Sequence, residues 1–371
     1  MSQVAHTGAH AAARVAELLD RSRAQRVFLV TGRESYASCG AKAALRPALA
    51  GRAVLRFTEF AVNPRAEDIE RGVALLREHG ADIVIAVGGG SVLDMAKLVC
   101  MCAASDASVV DHILGREFDR GGVPLIAVPT TAGSGAEATH FAVAYIDKHK
   151  YSVTDLRMRP THAVLDAGLT ASLSPALTAS TGVDVISQAI EAYWSVKSTE
   201  ESREYAVRAA TGAREHLVAA VERPTPAARD AMLTSANLAG KAIDITRTTA
   251  PHALSYAFTI GWGVPHGHAV GLTLGAVFQH NLDVSDADSA DPRGAAFVRE
   301  RMADLRRILG DTADDLRGFV AGLGLETRLR GLGIARSDLP EISRAVNEQR
   351  LKNNPRRLDA ETIGRILEAI Y

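Results

Sequence analysis

Asp184 and Gln188 stand four residues apart in the run Gly182-Val183-Asp184-Val185-Ile186-Ser187-Gln188-Ala189-Ile190-Glu191-Ala192-Tyr193. On an α-helix that spacing stacks two oxygen-bearing side chains on one face, where they can converge on a single ion. A second chemistry is written earlier in the chain. Gly88, Gly89, Gly90 and Ser91 follow an apolar run ending at Val87 and open a helical stretch that begins Val92, Leu93, Asp94, Met95. Glycines there let the backbone approach a pyrophosphate, and the helix start offers it unpaired N–H groups and a positive dipole end. By itself such a run also makes an ordinary tight turn. A second turn, Pro129 to Thr139, follows the run ending at Val128 and carries Thr130, Thr131, Ser134 and Thr139. Its hydroxyls and amides suit phosphate and ribose, and two such turns at the carboxyl ends of different parallel strands define a dinucleotide crevice.

The elements around these residues fall into two halves. Short aliphatic runs (Arg26 to Thr31, Arg52 to Phe57, Asp82 to Gly90, Pro124 to Thr130, then Ala142 to Ile146 and Ala163 to Ala167) alternate with helical stretches, which implies a parallel sheet covered by helices on both faces. After Leu173 the pattern changes: Ser174 and Pro175 read as an N-cap followed by proline at the first helical position, and helix-period sequence continues to the last residue. We therefore expect an α/β dinucleotide-binding domain over 1–172 and an all-helical domain over 173–371. Ile363, Ile366, Leu367 and Ile370 give the final helix an apolar stripe toward its core.

The chain has 371 residues, which suits two domains with substantial cores. Its 42 basic and 43 acidic residues nearly cancel, and no long run of one sign exists to track nucleic-acid phosphates or a membrane surface. The start lacks a basic region followed by an apolar stretch, and no segment offers about 18 consecutive apolar residues, so a cytoplasmic protein is expected. Cys100 and Cys102 lie in an apolar helical segment and, with Cys39, read as structural thiols.

Gly88 to Lys97 and Pro129 to Thr139 resemble the signatures GGGSxxDxAK and PTTAGTGSEVT of the iron-containing (group III) alcohol dehydrogenase family, and the resemblance runs through essentially the whole chain. It implies a nicotinamide-dependent oxidoreductase with cofactor contacts at Gly89, Gly90, Ser91, Asp94, Thr130, Thr131, Ser134 and Thr139. Where the family places an aspartate that contacts the adenosine ribose and excludes a 2′-phosphate, this chain has Gly32, followed by Arg33. Loss of the carboxylate and gain of a cation predict NADPH in preference to NADH. Lys150 matches a lysine that reaches the nicotinamide-side ribose. The family's metal ligands fall on Asp184, Gln188, His252 and His266, the two histidines fourteen residues apart as in the family. Gln188 is a departure, because the family has histidine there; amide oxygen is a weaker donor to Fe2+ or Zn2+, so lower metal affinity is expected. Tyr256 is a second departure from a family histidine, and its hydroxyl, His268 and metal-bound water are the candidate proton donors. The resemblance also implies a homodimer.

Arg247 and Thr248, within the segment Lys241 to His252, put a cation and hydroxyls just upstream of a ligand histidine, as an anionic headgroup requires. A basic cluster, Arg350 to Arg357, adds Lys352 as a further candidate contact. With Gln188 and the segments around His252, His266 and Asn353, these features are most similar to the family's phosphonoacetaldehyde reductases, which implies reduction of phosphonoacetaldehyde to 2-hydroxyethylphosphonate. Sulfoacetaldehyde and maleylacetate reductases also need an anion pocket. Dehydroquinate-synthase-like cyclases share the architecture but use the nicotinamide only transiently.

Overall fold

The aliphatic runs of the first half sort by parity onto two faces of one sheet. The protein is described by a computed structural model covering residues 3–147, 149–346 and 351–371, and its chain divides into two compact units, Met1–Leu173 and Ser174–Tyr371. The first contains β1 (Val4–Thr7), β2 (Arg26–Thr31), β3 (Ala53–Phe57), β4 (Ile83–Gly88), β5 (Leu125–Pro129), β6 (Phe141–Ile146), β7 (His149–Thr154) and β8 (His162–Leu165). All but β6 and β7 pair in parallel, in the order β1-β8-β5-β4-β2-β3. Val27, Leu29, Ile85, Val87, Ile126 and Val128 share a core with α1 (Arg14–Ser22), α2 (Ser35–Ser38) and α3 (Ala41–Leu49). Their neighbours of opposite parity, Phe28, Val30, Val84, Ala86, Leu125 and Ala127, pack with α4 (Ala66–His79), α5 (Gly90–Ala103) and α6 (Val109–Ile113). Burial on both faces is why these runs read as nearly continuous hydrophobic sequence.

The strand order creates the crevice. From β2 the chain steps outward to β3, returns to the other side of β2 as β4, and continues away from it to β5. The direction of winding therefore reverses between β2 and β4, whose carboxyl ends carry Thr31-Gly32-Arg33 and Gly88-Gly89-Gly90, and dinucleotides bind at such reversals.

One expected strand of the parallel sheet lies elsewhere. The run Ala142 to Ile146 does not join the parallel sheet. As β6 it pairs antiparallel with β7, from Phe141 opposite Thr154 to Ile146 opposite His149. A link of two residues between the strands is too short for a parallel crossover and long enough for a hairpin. The hairpin lies on α5, where Val143 N donates to Asp94 Oδ2 over 3.0 Å. The fully buried Lys97 ammonium donates to Thr139 Oγ1 (2.8 Å) and the Phe141 carbonyl (3.0 Å), with Asp94 Oδ1 4.0 Å away. β1 was not anticipated, since four residues, mostly exposed, show no readable alternation. Cys100 and Cys102 are buried on α5, and burial pushes both thiols up, Cys102 to about 12, so neither is a thiolate at neutral pH.

The second unit is helical: α7 (Pro175–Trp194), α8 (Glu200–Glu222), α9 (Pro226–Thr246), α10 (Ala250–Trp262), α11 (His266–Leu282), α12 (Ala295–Leu309) and a last helix, Ala360–Ala369, with shorter turns between. Ser174 Oγ caps α7 by accepting from Leu177 N (3.3 Å), with Pro175 behind it. α7 is buried continuously from Gly182 to Trp194 and packs against α8, α9 and α11. Two glycines permit that closeness. A Cβ on Gly182 would lie 2.1 Å from Leu217 Cδ1 of α8, and one on Gly267 of α11 would lie 2.0 Å from the Ser180 carbonyl and 2.9 Å from Asp184 Cβ.

Lys97 ties the second Gly/Thr turn to α5 through a charge with no solvent. Replacing it by methionine leaves the half-buried Asp94 carboxylate and the Phe141 carbonyl without that cation, and losing one member of such a buried polar set costs about 3 kcal/mol. Urea unfolding of Lys97→Met should show a loss of that size; a change within experimental error would mean that the ammonium does not anchor the turn.

Candidate active site

Helical periodicity puts Asp184, Gln188 and Glu191 on one face of α7. Across from them α10 presents His252, and the first turn of α11 presents His266. The donor atoms of Asp184, His252 and His266 all lie within 4.8 Å of one another. His252 Nε2 is 3.2 Å from Asp184 Oδ1, while its Nδ1 lies 2.5 Å from Glu191 Oε1. Nδ1 donates to Glu191, which leaves Nε2 as the ring nitrogen that faces Asp184. Glu191 is held in turn: its Oε2 accepts from Thr249 N (2.6 Å) and Thr249 Oγ1 (2.9 Å), and Trp194 Nε1 donates to the same hydroxyl (2.9 Å).

The electrostatics of this cluster call for a positive charge. Burial alone would raise the Asp184 carboxyl, but His252, His266 and the Gln188 amide outweigh it and hold it below the usual carboxylate range. Burial likewise pulls His252 down, yet the Glu191 and Asp184 carboxylates prevail and raise it to about 9. Two buried oxygens lack a hydrogen-bond partner, Asp184 Oδ1, whose contact with His252 is badly aligned, and Gln188 Oε1. Two imidazoles, a carboxylate and an unsatisfied amide oxygen form a donor set that fits a divalent cation such as Fe2+ or Zn2+. Gln188 supplies an oxygen where histidine would supply nitrogen.

The other expected residues divide. Tyr256, one turn after His252, lies with its ring parallel to that of His266, centroids 6.1 Å apart, and so belongs to the cluster. His268 does not: its Nε2 is 2.6 Å from the Glu326 carbonyl, which makes it a donor already engaged outside the ligand group. Arg247 follows α9 in a backbone conformation (φ 64°, ψ 172°) that glycine adopts readily and other residues do not. Such a residue costs on the order of 1–3 kcal/mol and persists where its surroundings hold it. Thr248, half-buried, lies between Arg247 and the anchored Thr249. Lys352 is exposed and lines a cavity of about 1450 Å³ shared with His280, Arg317 and Arg365, which includes none of the three converging ligands. Arg350, from the same basic cluster, lies outside the described residues.

In the first unit the two turns abut. Thr130 N donates to the Gly88 carbonyl (3.0 Å), a Cβ on Gly89 would lie 3.3 Å from the Thr131 side chain, and one on Gly90 would lie 2.9 Å from Ser134 Oγ. No side chain caps the N-terminus of α5, so its first N–H groups remain for a ligand. Gly89, Gly90, Ser91, Thr131 and Ser134 are half-exposed and form the rim, whereas Thr130 and Thr139 are buried. The Thr139 hydroxyl receives Lys97, and Asp94 receives Val143, so both brace the turns. Lys150, on β7, is one of the cations that oppose burial at Asp94; burial prevails and raises that carboxyl. Arg33 is exposed after Gly32.

Two residues were missed from sequence. Glu191 lies on the Asp184 face but inside an apolar run, and its spacing was the available signal. Arg56 of β3 donates to Thr31 Oγ1 (2.9 Å) and to the carbonyls of Gly32 and Arg33 (3.0 Å each), bringing a second cation to the turn after β2 through strand pairing that local sequence does not reveal.

Comparison with known proteins gives matches over nearly the full length. Family models described as "iron-containing alcohol dehydrogenase" and "Fe-containing alcohol dehydrogenase family, C-terminal" match residues 3–167 and 178–371. Phosphonoacetaldehyde reductase of Streptomyces viridochromogenes is 39% identical over 306 residues, 79% of this chain and 77% of that protein. The structure of sulfoacetaldehyde reductase from Bifidobacterium kashiwanohense in complex with NAD+ is similar with a TM-score of 0.85 at 28% identity, covering 99% of this chain and 96% of that one. An iron-containing alcohol dehydrogenase from Thermotoga maritima gives 0.87 at 30% identity, covering 100% and 98%.

If Glu191 orients His252, then Glu191→Gln should weaken binding of Zn2+ by 10- to 100-fold, the range for losing a carboxylate behind a ligand histidine. Calorimetric titration of the metal-free protein checks it, and an unchanged Kd would remove Glu191 from the site.

Proposed function

The chain belongs to the iron-containing alcohol dehydrogenase family, and on that basis we propose that it reduces phosphonoacetaldehyde to 2-hydroxyethylphosphonate with NADPH. It is an oxidoreductase that interconverts an aldehyde and an alcohol with a nicotinamide cofactor. The observation that carries the substrate is Arg247, a cation fixed in a costly backbone conformation five residues before a ligand histidine. A phosphonate dianion needs charge-assisted donors of this kind, and the resemblance to phosphonoacetaldehyde reductase supports the same choice.

Within this reading Arg247 and the Thr248 hydroxyl bind the phosphonate, which fixes the aldehyde end relative to His252. Asp184, His252, His266 and Gln188 Oε1 would hold the divalent cation, Fe2+ or Zn2+; when bound it acts as a Lewis acid that polarises the carbonyl. Glu191 orients His252 through Nδ1, so that Nε2 is the nitrogen presented to the cation. Tyr256 delivers a proton to the carbonyl oxygen as hydride from the nicotinamide reaches C1. His268 is given no part in proton transfer, because its Nε2–H is engaged by Glu326. Arg33 and Arg56 are the cations available to a 2′-phosphate beside Gly32. Sulfoacetaldehyde is the second reading, favoured by the likeness to a reductase of that compound; its headgroup carries one charge rather than two.

NADPH oxidation by metal-stripped protein, repeated with added Fe2+ or Zn2+, tests the reaction with phosphonoacetaldehyde, sulfoacetaldehyde and propanal. Restoration by metal and highest kcat/KM with phosphonoacetaldehyde are expected, and Arg247→Ala should lower the phosphonoacetaldehyde-to-propanal efficiency ratio about 100-fold, as for a charged hydrogen bond worth 1.5–3 kcal/mol. A higher efficiency with sulfoacetaldehyde would select the second reading. For the cofactor, Arg33→Ala and Arg56→Ala should each raise KM for NADPH about tenfold, the effect of one weakened ion pair, with little change for NADH. Equal wild-type efficiency with both cofactors would refute the NADPH assignment.

A further inference from the structure

The backbone around Arg247 is gripped from a distant part of the chain. Asn353, buried and 106 residues downstream, donates through Nδ2 to the Thr246 carbonyl (2.8 Å) and the Thr248 carbonyl (3.0 Å), the two peptide oxygens that bracket Arg247. Its Oδ1 accepts from Ser195 Oγ (2.8 Å), and its own carbonyl accepts from Val196 N (3.2 Å) at the end of α7. Both amide hydrogens and the amide oxygen are therefore engaged, and the amide has one workable orientation, because the reverse would set an oxygen against two carbonyls. Asn354 locks the segment further by exchanging hydrogen bonds with Asn281 (2.9 and 3.4 Å).

The link between α9 and α10 is thus held at both ends. On the ligand side Thr249 is tied to Glu191, and Glu191 to His252. On the other side Asn353 holds the carbonyls before and after Arg247, the residue whose φ of 64° needs outside support. We infer that Asn353 is a positioning residue for substrate specificity: it fixes Arg247 and Thr248 in register with the ligand His252, so that the distance from anion to carbonyl selects the aldehyde. This inference rests on the anion-binding role proposed for Arg247. It assigns the Asn-Asn pair within the cluster from Arg350 to Arg357 a function that depends on its amides rather than on the surrounding charges.

The test compares wild type, Asn353→Ala, Arg247→Ala and the double variant with phosphonoacetaldehyde and propanal. Asn353→Ala should lower the efficiency ratio of the two substrates at least tenfold, through KM for the anionic aldehyde rather than kcat. In the Arg247→Ala background the same change should lower it no further. An unchanged ratio in Asn353→Ala, or an equal loss in both backgrounds, overturns the inference. If wild type shows no preference for the anionic aldehyde, or keeps it in Arg247→Ala, the anion-pocket reading fails instead, and Asn353 is then judged on stability alone. That arm also decides the matter if Asn353→Ala does not fold. Glycine accepts the backbone conformation at 247 without support, so Arg247→Gly should at least halve the Tm loss caused by Asn353→Ala, or restore a folded protein. A Tm loss as large with glycine as with arginine means that Asn353 does not support that conformation.

Discussion

A carboxylate without solvent must find its donors inside the protein, and Glu191 meets that demand by accepting from His252 and twice from Thr249. Those bonds join α7 to α10 and to the link that precedes it. They fix the orientation of the His252 ring, with Nε2 toward Asp184, and fix where Thr249 begins its helix. The rest of the second unit can be described as what brings that carboxylate to those donors: an α7 buried along most of its length, and glycines that let α8 and α11 approach it.

Gln188 stands on the Asp184 face of α7 at a position where the family resemblance predicts histidine. Among the described residues, the one carboxylate whose oxygen converges with the two imidazoles is that of Asp184, and it would carry the formal charge that attracts a cation in the proposed site. Gln188 contributes an oxygen dipole on the same helical face, without charge and without a proton to lose. In the proposed metal site its effect would fall on affinity and on the choice of metal.

Much of this was legible in sequence, for identifiable reasons. Strands buried on two faces give uninterrupted aliphatic runs, so β2, β4 and β5 were clear, and glycine turns after two of them marked the crevice. The Ser174 cap and the ligand spacings depend on residues close in sequence or on a family pattern. What escaped depends on long-range pairing. The run at β6 has strand character whichever partner it takes, and its antiparallel pairing with β7 makes it a hairpin. Thr139 and Asp94 were expected to contact the cofactor, yet their side chains are engaged by Lys97 and by Val143 N. His268 was a candidate by type and was removed by a carbonyl 58 residues away. Arg56 and Asn353 act through strand and loop contacts that no local pattern announces.

Because α7 has no solvent face from Gly182 to Trp194, its ligands are inherited together with a hydrophobic core. A substitution there disturbs packing before it alters chemistry, so variants on that helix are filtered for folding first. The link between α9 and α10 is under a different constraint, since its side chains at 247 and 248 are only half-buried and its shape is maintained by partners elsewhere. With the substrate role proposed for Arg247 and Thr248, change in substrate range would accumulate on a few residues of one connection while the reaction centre stays constant. Under that proposal, the same division of labour would let one scaffold change its aldehyde without rebuilding its interior.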